Sequence, residues 1–458
     1  MTRSKHFNIV GGGLSGSLLA ILLAQRGFEV DVFERRGDPR RAAPDDGRSI
    51  NLALAARGLA ALTAAAVIDR IQPLLIAMRG RMLHEPGAST QLLPYGSRSD
   101  EVIWSVSRSA LNRALIEVAA TQPGIRLHFA TTCLGADVKA NTLLLRDRCT
   151  GTARTVPLTA TIGADGAGSA LRQSLKAARL IAVHEEPLDH DYKQMTIPAA
   201  DGNYAMDPHA LHIWPRGSFM LIALPNPDHS FTATLFLPKH GSPSFETLGD
   251  AASVKSFFAS YFPDTAALMP NQAQEFLAHA QGMLGTISCD RWHIAGQVLL
   301  LGDAAHAIVP FHGQGANCAF EDCVMLARLL DSRAGKLNDL AELFAEFQAS
   351  RLHNALAIAQ MALENYTEMR DSVRDQRFQR LNLLSLELER RQPLRFIPRY
   401  SMVMFHADIT YAEALRRGAV QAQILDDLDH ATLGSNTDYS LADQLIEARL
   451  SPLRSSTK

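Results

Sequence analysis

GDAAHAIVPFHGQGAN at residues 302–317 lies nearly the whole chain away from GGGLSG at residues 11–16, and this pairing decides the fold. A glycine-rich loop after a first strand marks, by itself, only a candidate nucleotide site. A second Gly-Asp element after the late strand VLLL, followed by glycines that open a helix, says that the chain returns to the same ligand. One ligand therefore threads through most of the fold.

Working outward from the first loop, residues 6–10 (HFNIV) read as a short buried strand. SLLAILLAQRG reads as a helix closed by Gly27, and FEVDVFERR as the next strand, so residues 6–35 form one βαβ unit. Gly11, Gly13 and Gly16, with Leu14 and Ser15 between them, fit G-x-G-x-x-G, and Glu34 follows at the end of the second strand. Such glycines let a pyrophosphate approach the helix N-terminus, where unpaired N–H groups point at it, and the acid accepts ribose hydroxyls. The motif alone does not separate NAD from FAD.

Two further elements do. Gly163-Ala164-Asp165-Gly166 ends another buried strand and places an acid near the same pyrophosphate. Gly302-Asp303 offers an acid for ribityl or ribose hydroxyls, and Gly315-Ala316-Asn317 begins a helix whose positive end suits a flavin that gains charge on reduction. Three such elements in this order point to FAD.

The remaining pattern is coarser. Residues 49–66 show helical periodicity, RMLHE and VIWSV read as strands, and a helix begins at Arg108. Between about 185 and 245, ALHIWP, FMLIALP and FTATLFLP alternate as an antiparallel sheet. From about 338 onward nearly everything reads as helix. The expected organisation is an α/β (α+β) chain. It has a discontinuous cofactor domain (1–184 with 285–335), an interleaved antiparallel-sheet substrate domain (185–284) and a C-terminal helical region (336–458).

Bulk properties bound the function. The chain has 458 residues and a formal net charge of −2, so no basic field invites nucleic acid. Five cysteines without metal-ligand spacing read as reduced thiols, and no metal is expected. No run approaches the roughly 20 apolar residues that span a bilayer. The expectation is a cytoplasmic enzyme, monomer or homodimer, without membrane or nucleic-acid partners.

The order GGGLSG…Glu34, GADGAGSALR and GDAAHAIVPFHGQGAN resembles the class A flavin monooxygenases of the p-hydroxybenzoate hydroxylase fold. DDGRSINLALAARG (45–58), MRGRMLH (78–84), EVIWSVSR (101–108), ALHIWPRG (210–217), LENYTEM (363–369) and RFIPRYSMV (395–403) narrow the resemblance to the kynurenine 3-monooxygenase family. The similarity spans about residues 6–405. It implies bound FAD, reduced by NADPH, that reacts with O2 to a C4a-hydroperoxyflavin and hydroxylates an electron-rich aniline ring, with no obligatory acid or base from the protein.

The resemblance also implies residue roles. Arg81, with Tyr95, Asn365 and Tyr400, would clamp the amino-acid head of kynurenine, and a guanidinium suits a carboxylate. Ile213, Leu224, Phe236, Pro310, Phe311, His312 and Met369 would wall the ring. On the flavin side it adds Arg36, Arg48, Ala53, Arg108 and Leu134, while Arg35, next to Glu34, reads equally as an adenine neighbour or as a solvent-facing charge. On pattern alone, a lone arginine between strands reads as a solvated charge and the Met361/Met369 spacing as core. Departures from the family are Ala316 for its usual methionine, Gln194-Met195 for its Glu-Leu, and Met220-Leu221 for its Met-Cys. Rival readings are an NAD(P)-dependent dehydrogenase, a non-catalytic flavin-binding protein, and a hydroxylase of salicylate or phenols.

Overall fold

Strand His6–Val10 is the centre of a six-stranded sheet, flanked in parallel by Glu29–Phe33 on one side and Thr161–Gly163 on the other. Ile125–His128 and Val298–Leu300 extend it in parallel, and only the edge pair His293–Ile294 runs antiparallel. Parallel strands need both faces covered, and these are correspondingly apolar. Ile9, Val30, Val32, Ile162, Val298 and Leu299 are each at most 1 % exposed. The structure is a computed structural model that describes residues 6–41, 51–158, 160–333, 339–369, 375–432 and 438–453.

The chain divides into two units. The first comprises Met1–Leu75, Val106–Asp189 and Met283–Ala359, and the second Ile76–Ser105, His190–Gly282 and Gln360–Lys458. The first holds the six-stranded sheet, helices Leu14–Ala24 and Gly315–Ser332 packed together, and a three-stranded sheet over residues 131–157 that the sequence reading did not resolve.

The second unit is built on an antiparallel sheet whose strands His190–Ile197, Phe231–Pro238, Met220–Pro225 and Ala210–Pro215 are neighbours. These are the alternating segments expected from sequence. Strand Gly80–Leu83 joins in parallel beside Ala210–Ile213 and is followed by Gln91–Pro94. That pairing is why residues 76–105 sit with the sheet unit, not with the cofactor domain to which the sequence reading assigned them. The helices after residue 360 belong to the same unit, so they do not form the separate region expected.

One face of this sheet carries Met195, Ile197, Trp214, Leu221, Ala223, Phe231, Ala233 and Leu235. Together with Phe257, Phe258 and Phe276 from helices Ala251–Tyr261 and Gln272–Ala278 they form one core. Strand alternation then fixes the other face. Arg81 pairs with Leu211, Ile213 with Ile222, Leu224 with Thr232, and Phe236 with Met220. Arg81, Ile213, Leu224 and Phe236 therefore share the face opposite the helices.

A second difference concerns residues 49–66. Residues 42–50 lie outside the described residues, Asn51–Leu54 is a strand, and the helix runs only from Ala56 to Ala64. The cause is a bond from far along the chain. Asn317 Nδ2 donates to Ala53 O at 2.8 Å, and Asn317 Oδ1 accepts from Ala55 N at 2.9 Å. Ala55 is held extended, with φ −119 and ψ −178.

Candidate functional site

In the first unit, the early loop is shaped by contacts only glycine permits. Gly11 has φ +104, and an added Cβ would lie 2.4 Å from Ala164 O; at Gly16 it would lie 1.9 Å from Gly11 O. Gly13 is different. A Cβ there would meet nothing within 4 Å, which leaves open space at the start of helix Leu14–Ala24, and no side chain caps that helix. An uncapped helix start facing open space is a ready anion site. Leu14 is buried and Ser15 half-buried at this turn.

Glu34 is 5 % exposed and already bonded. It accepts from Gly12 N at 2.8 Å, from Arg36 N at 2.8 Å and from Arg36 Nε at 2.9 Å. Burial opposes its charge, yet the bonds from Arg36 and Gly12 hold the carboxyl below its usual range. It ties the loop to the strand end, and a carboxylate with about four acceptor positions keeps one for a ribose hydroxyl. Arg35 and Arg36 are exposed, as are Arg108 at its helix start and Leu134. Arg48 lies outside the described residues.

The late element returns to this loop, as the sequence pairing requires. Gly302 has φ +59, and a Cβ on it would stand 3.0 Å from Ala319 Cβ and 3.4 Å from Ser15 Oγ. Asp303 follows, half-buried, with no protein partner among the described residues. Asp165 is the other open acid: its Oδ1 is buried without a hydrogen-bond partner, and burial raises its carboxyl above the usual range. Pro310–His312 forms one short turn in which Phe311 and His312 are buried and Pro310 exposed. Helix Gly315–Ser332 then starts without a side-chain cap, with Gly315 and Ala316 half-buried at its tip. Asn317 is wholly buried and spends its amide on Ala53, Ala55 and Gly313. It positions Ala53 and the neighbouring strand.

Sequence reading missed what holds this element in place. Asp322 is 0 % exposed and accepts from Gly302 N at 3.1 Å and Arg351 Nε at 2.7 Å, with His306 Nε2 at 2.6 Å. Burial works against its charge, but His306 and Arg351 keep the carboxyl below its usual range. Arg351 and Arg57 both pair with Glu321, at 2.6 and 2.9 Å. A buried charge persists only when paired like this.

Two uncapped helix starts, an open glycine cradle, an orphaned Asp165 oxygen and a partnerless Asp303 fit a dinucleotide with a pyrophosphate and polyhydroxyl chains. FAD is such a molecule.

The second unit brings Arg81, Tyr95 and Tyr400, three of the residues expected to clamp the substrate head, together. The Arg81 side chain is 11 % exposed, its Cζ 4.8 Å from the Tyr400 ring centroid and 5.9 Å from that of Tyr95. The two tyrosine rings stack with centroids 5.8 Å apart. Glu368, which the sequence reading did not single out, stands 3.4 Å from Arg81 Nη1. Burial opposes the Arg81 charge, but the Tyr400 oxygen and Glu368 more than offset it and raise the guanidinium pKa. Arg81 Nε nevertheless has no hydrogen-bond partner. Asn365 is 3 % exposed and donates to Met369 Sδ at 3.3 Å, so the two share one helix face three and one residues from Glu368.

Among the described residues, no helix is long and apolar enough to cross a membrane.

Comparison with known proteins follows the same lines. The family profile described as "FAD binding domain" matches residues 6–335. A kynurenine 3-monooxygenase of Stenotrophomonas maltophilia is 48 % identical over 98 % of this chain and 97 % of its own length. One of Xanthomonas campestris is 46 % identical over 98 % of each. Among solved structures, Pseudomonas aeruginosa PqsL in complex with 2-aminobenzoylacetate superposes with a TM-score of 0.64 at 21 % identity, covering 83 % of this chain and 99 % of that one. That likeness concerns the fold alone. The chain thus belongs to the FAD binding domain family and, within it, to the kynurenine 3-monooxygenases.

Proposed function

We propose that the chain hydroxylates L-kynurenine to 3-hydroxy-L-kynurenine, with FAD as resident cofactor and NADPH and O2 as co-substrates. The observation that carries this reading is the charged pair in the second unit: half-buried Arg81, its Nε enclosed and unsatisfied, beside Glu368 and two tyrosine rings. An amino-acid head brings a carboxylate and an ammonium together. Arg81 takes the first and Glu368 the second, each contact charge-assisted. A phenol or salicylate offers no such pair of charges. Ile213, Leu224 and Phe236, on the same sheet face as Arg81, give an aromatic ring an apolar wall.

FAD, when bound and reduced by NADPH, would activate O2, one atom of which goes to the ring and the other to water. The glycine loops, Glu34, Asp165 and Asp303 hold it, and the helix start at Gly315 favours the charge it gains. The clamp orients the substrate and keeps it still while water is excluded. An aminophenyl ring is already electron-rich, so no side chain is assigned as general base.

Anaerobic reduction of the purified protein by NADPH, followed with and without L-kynurenine, tests the reading. Acceleration by kynurenine is expected; an unchanged rate would assign the enzyme another substrate. Ala316, half-buried at the helix start where the family carries methionine, favours a second reading, the same chemistry on a ring-substituted kynurenine or another anthraniloyl compound. The same assay with a substrate panel decides between them. The proposed setting is the cytoplasm, as monomer or homodimer.

A further inference from the structure

Away from the clamp's charges, the second unit brings two acids and an imidazole together. Glu101 precedes strand Ile103–Ser107, Glu389 lies on helix Gln376–Arg391, and His406 ends helix Arg399–Phe405. One ligand atom from each lies within 4.8 Å of the others. Glu101 is 4 % and Glu389 1 % exposed. Neither Glu389 oxygen has a hydrogen-bond partner within 3.5 Å among the described residues, and Ser97 lies beside them.

Among the described residues, the cation that pairs with both carboxylates is Arg98, which touches Glu101 and stands 3.7 Å from Glu389 Oε1. Its side chain is 47 % exposed and also reaches toward Asp100. It is an exposed side chain, which a bound ion would replace. A buried carboxylate left without hydrogen bonds is costly unless a cation arrives.

We propose that Glu101, Glu389 and His406 form a binding site for a divalent transition metal, with Zn2+ as the ion that suits them. Zinc accepts both imidazole nitrogen and carboxylate oxygen at about 2.0–2.2 Å and takes three protein ligands with water in a fourth position. Calcium and magnesium prefer oxygen throughout, which the imidazole does not offer. The ion displaces Arg98. It ties three segments of one unit: the turn after Tyr95, against which Glu101 is pressed, helix Gln376–Arg391, and the end of the helix carrying Tyr400. Zinc therefore braces both tyrosines, a consequence that rests on the function proposed above; the binding itself does not.

The test is calorimetric titration of ZnCl2 into the chelator-stripped, FAD-loaded full chain, beside Glu389→Gln and His406→Gln. One ion per chain is expected, with affinity reduced roughly tenfold or more in each variant while flavin absorbance and circular dichroism stay unchanged. Co2+ should give ligand-field bands without thiolate charge transfer, which separates this site from one at a cysteine. Absence of binding to the wild type overturns the proposal, as does binding that both variants retain. Neither result depends on kynurenine, so failure here is distinct from failure of the assigned reaction.

Discussion

At the scale of single residues, Arg81 shows how burial changes the meaning of a side chain. Between strands in a sequence it reads as a solvated charge; in the fold it is half-buried against the Tyr400 and Tyr95 rings, with an enclosed and unsatisfied Nε. Replacing it by alanine removes charge-assisted contacts worth roughly 1.5–3 kcal/mol, which weakens kynurenine binding by roughly ten- to a hundredfold. The glycine loops proposed to hold FAD belong to the other unit, so the flavin should stay bound. Equilibrium dialysis of kynurenine against Arg81→Ala checks this, and an unchanged Kd removes the clamp from the account. Residues such as Gly11, Gly16, Glu34 and Gly302 were legible because their chemistry is local: a turn, a strand end, a helix start. Asp322, Arg351, Glu321 and Glu368 were not. Each is an ordinary charge on a helix whose importance comes from a partner that only folding supplies.

At the scale of elements, alternation carried the second unit. ALHIWP, FMLIALP and FTATLFLP were readable as strands because period two survives in them, and register then places Ile213, Leu224 and Phe236 on one face. Residues 51–66 misled for the opposite reason. An alanine- and leucine-rich run fits either period, and pairing in a three-stranded sheet together with the bonds from Asn317 makes it start as a strand. Gly58, on the helix that follows, is part of that lock: an added Cβ would stand 2.4 Å from Asn317 Oδ1. Alanine has the better helix propensity by about 1 kcal/mol, yet the Asn317 amide is fixed by three bonds and does not yield. The clash costs roughly 1–3 kcal/mol, so Gly58→Ala lowers the unfolding temperature and loosens FAD. A thermal melt with flavin fluorescence as second signal checks both, and a variant more stable than wild type would refute the lock.

At the scale of the whole molecule, acid bears on both units. In the first, Glu34 and Asp322 have carboxyls held below their usual range. The stability they confer is present above about pH 4 and is lost as the pH falls through their lowered values. The second unit carries a histidine chain. His212 Nε2 donates to Asp207 O at 2.8 Å, which leaves its Nδ1 as acceptor for His84 Nε2, also at 2.8 Å. His84 stacks on Trp214 with centroids 4.1 Å apart. Burial first, then His212, lowers the His84 pKa to about 4, with Asp264 opposing. Both rings are therefore neutral in the native state. Below pH 6.5 the unfolded chain takes up a proton at His84 that the native chain refuses, and stability falls until about pH 4, by about 3 kcal/mol in all. His293 of the first unit shifts in the same direction, so the discriminating measurement is a variant. Gln at position 84 keeps a donor for His212 and does not titrate. His84→Gln should flatten the fall of the unfolding midpoint between pH 6.5 and 4.5, and a slope equal to the wild type's would place the acid sensitivity elsewhere.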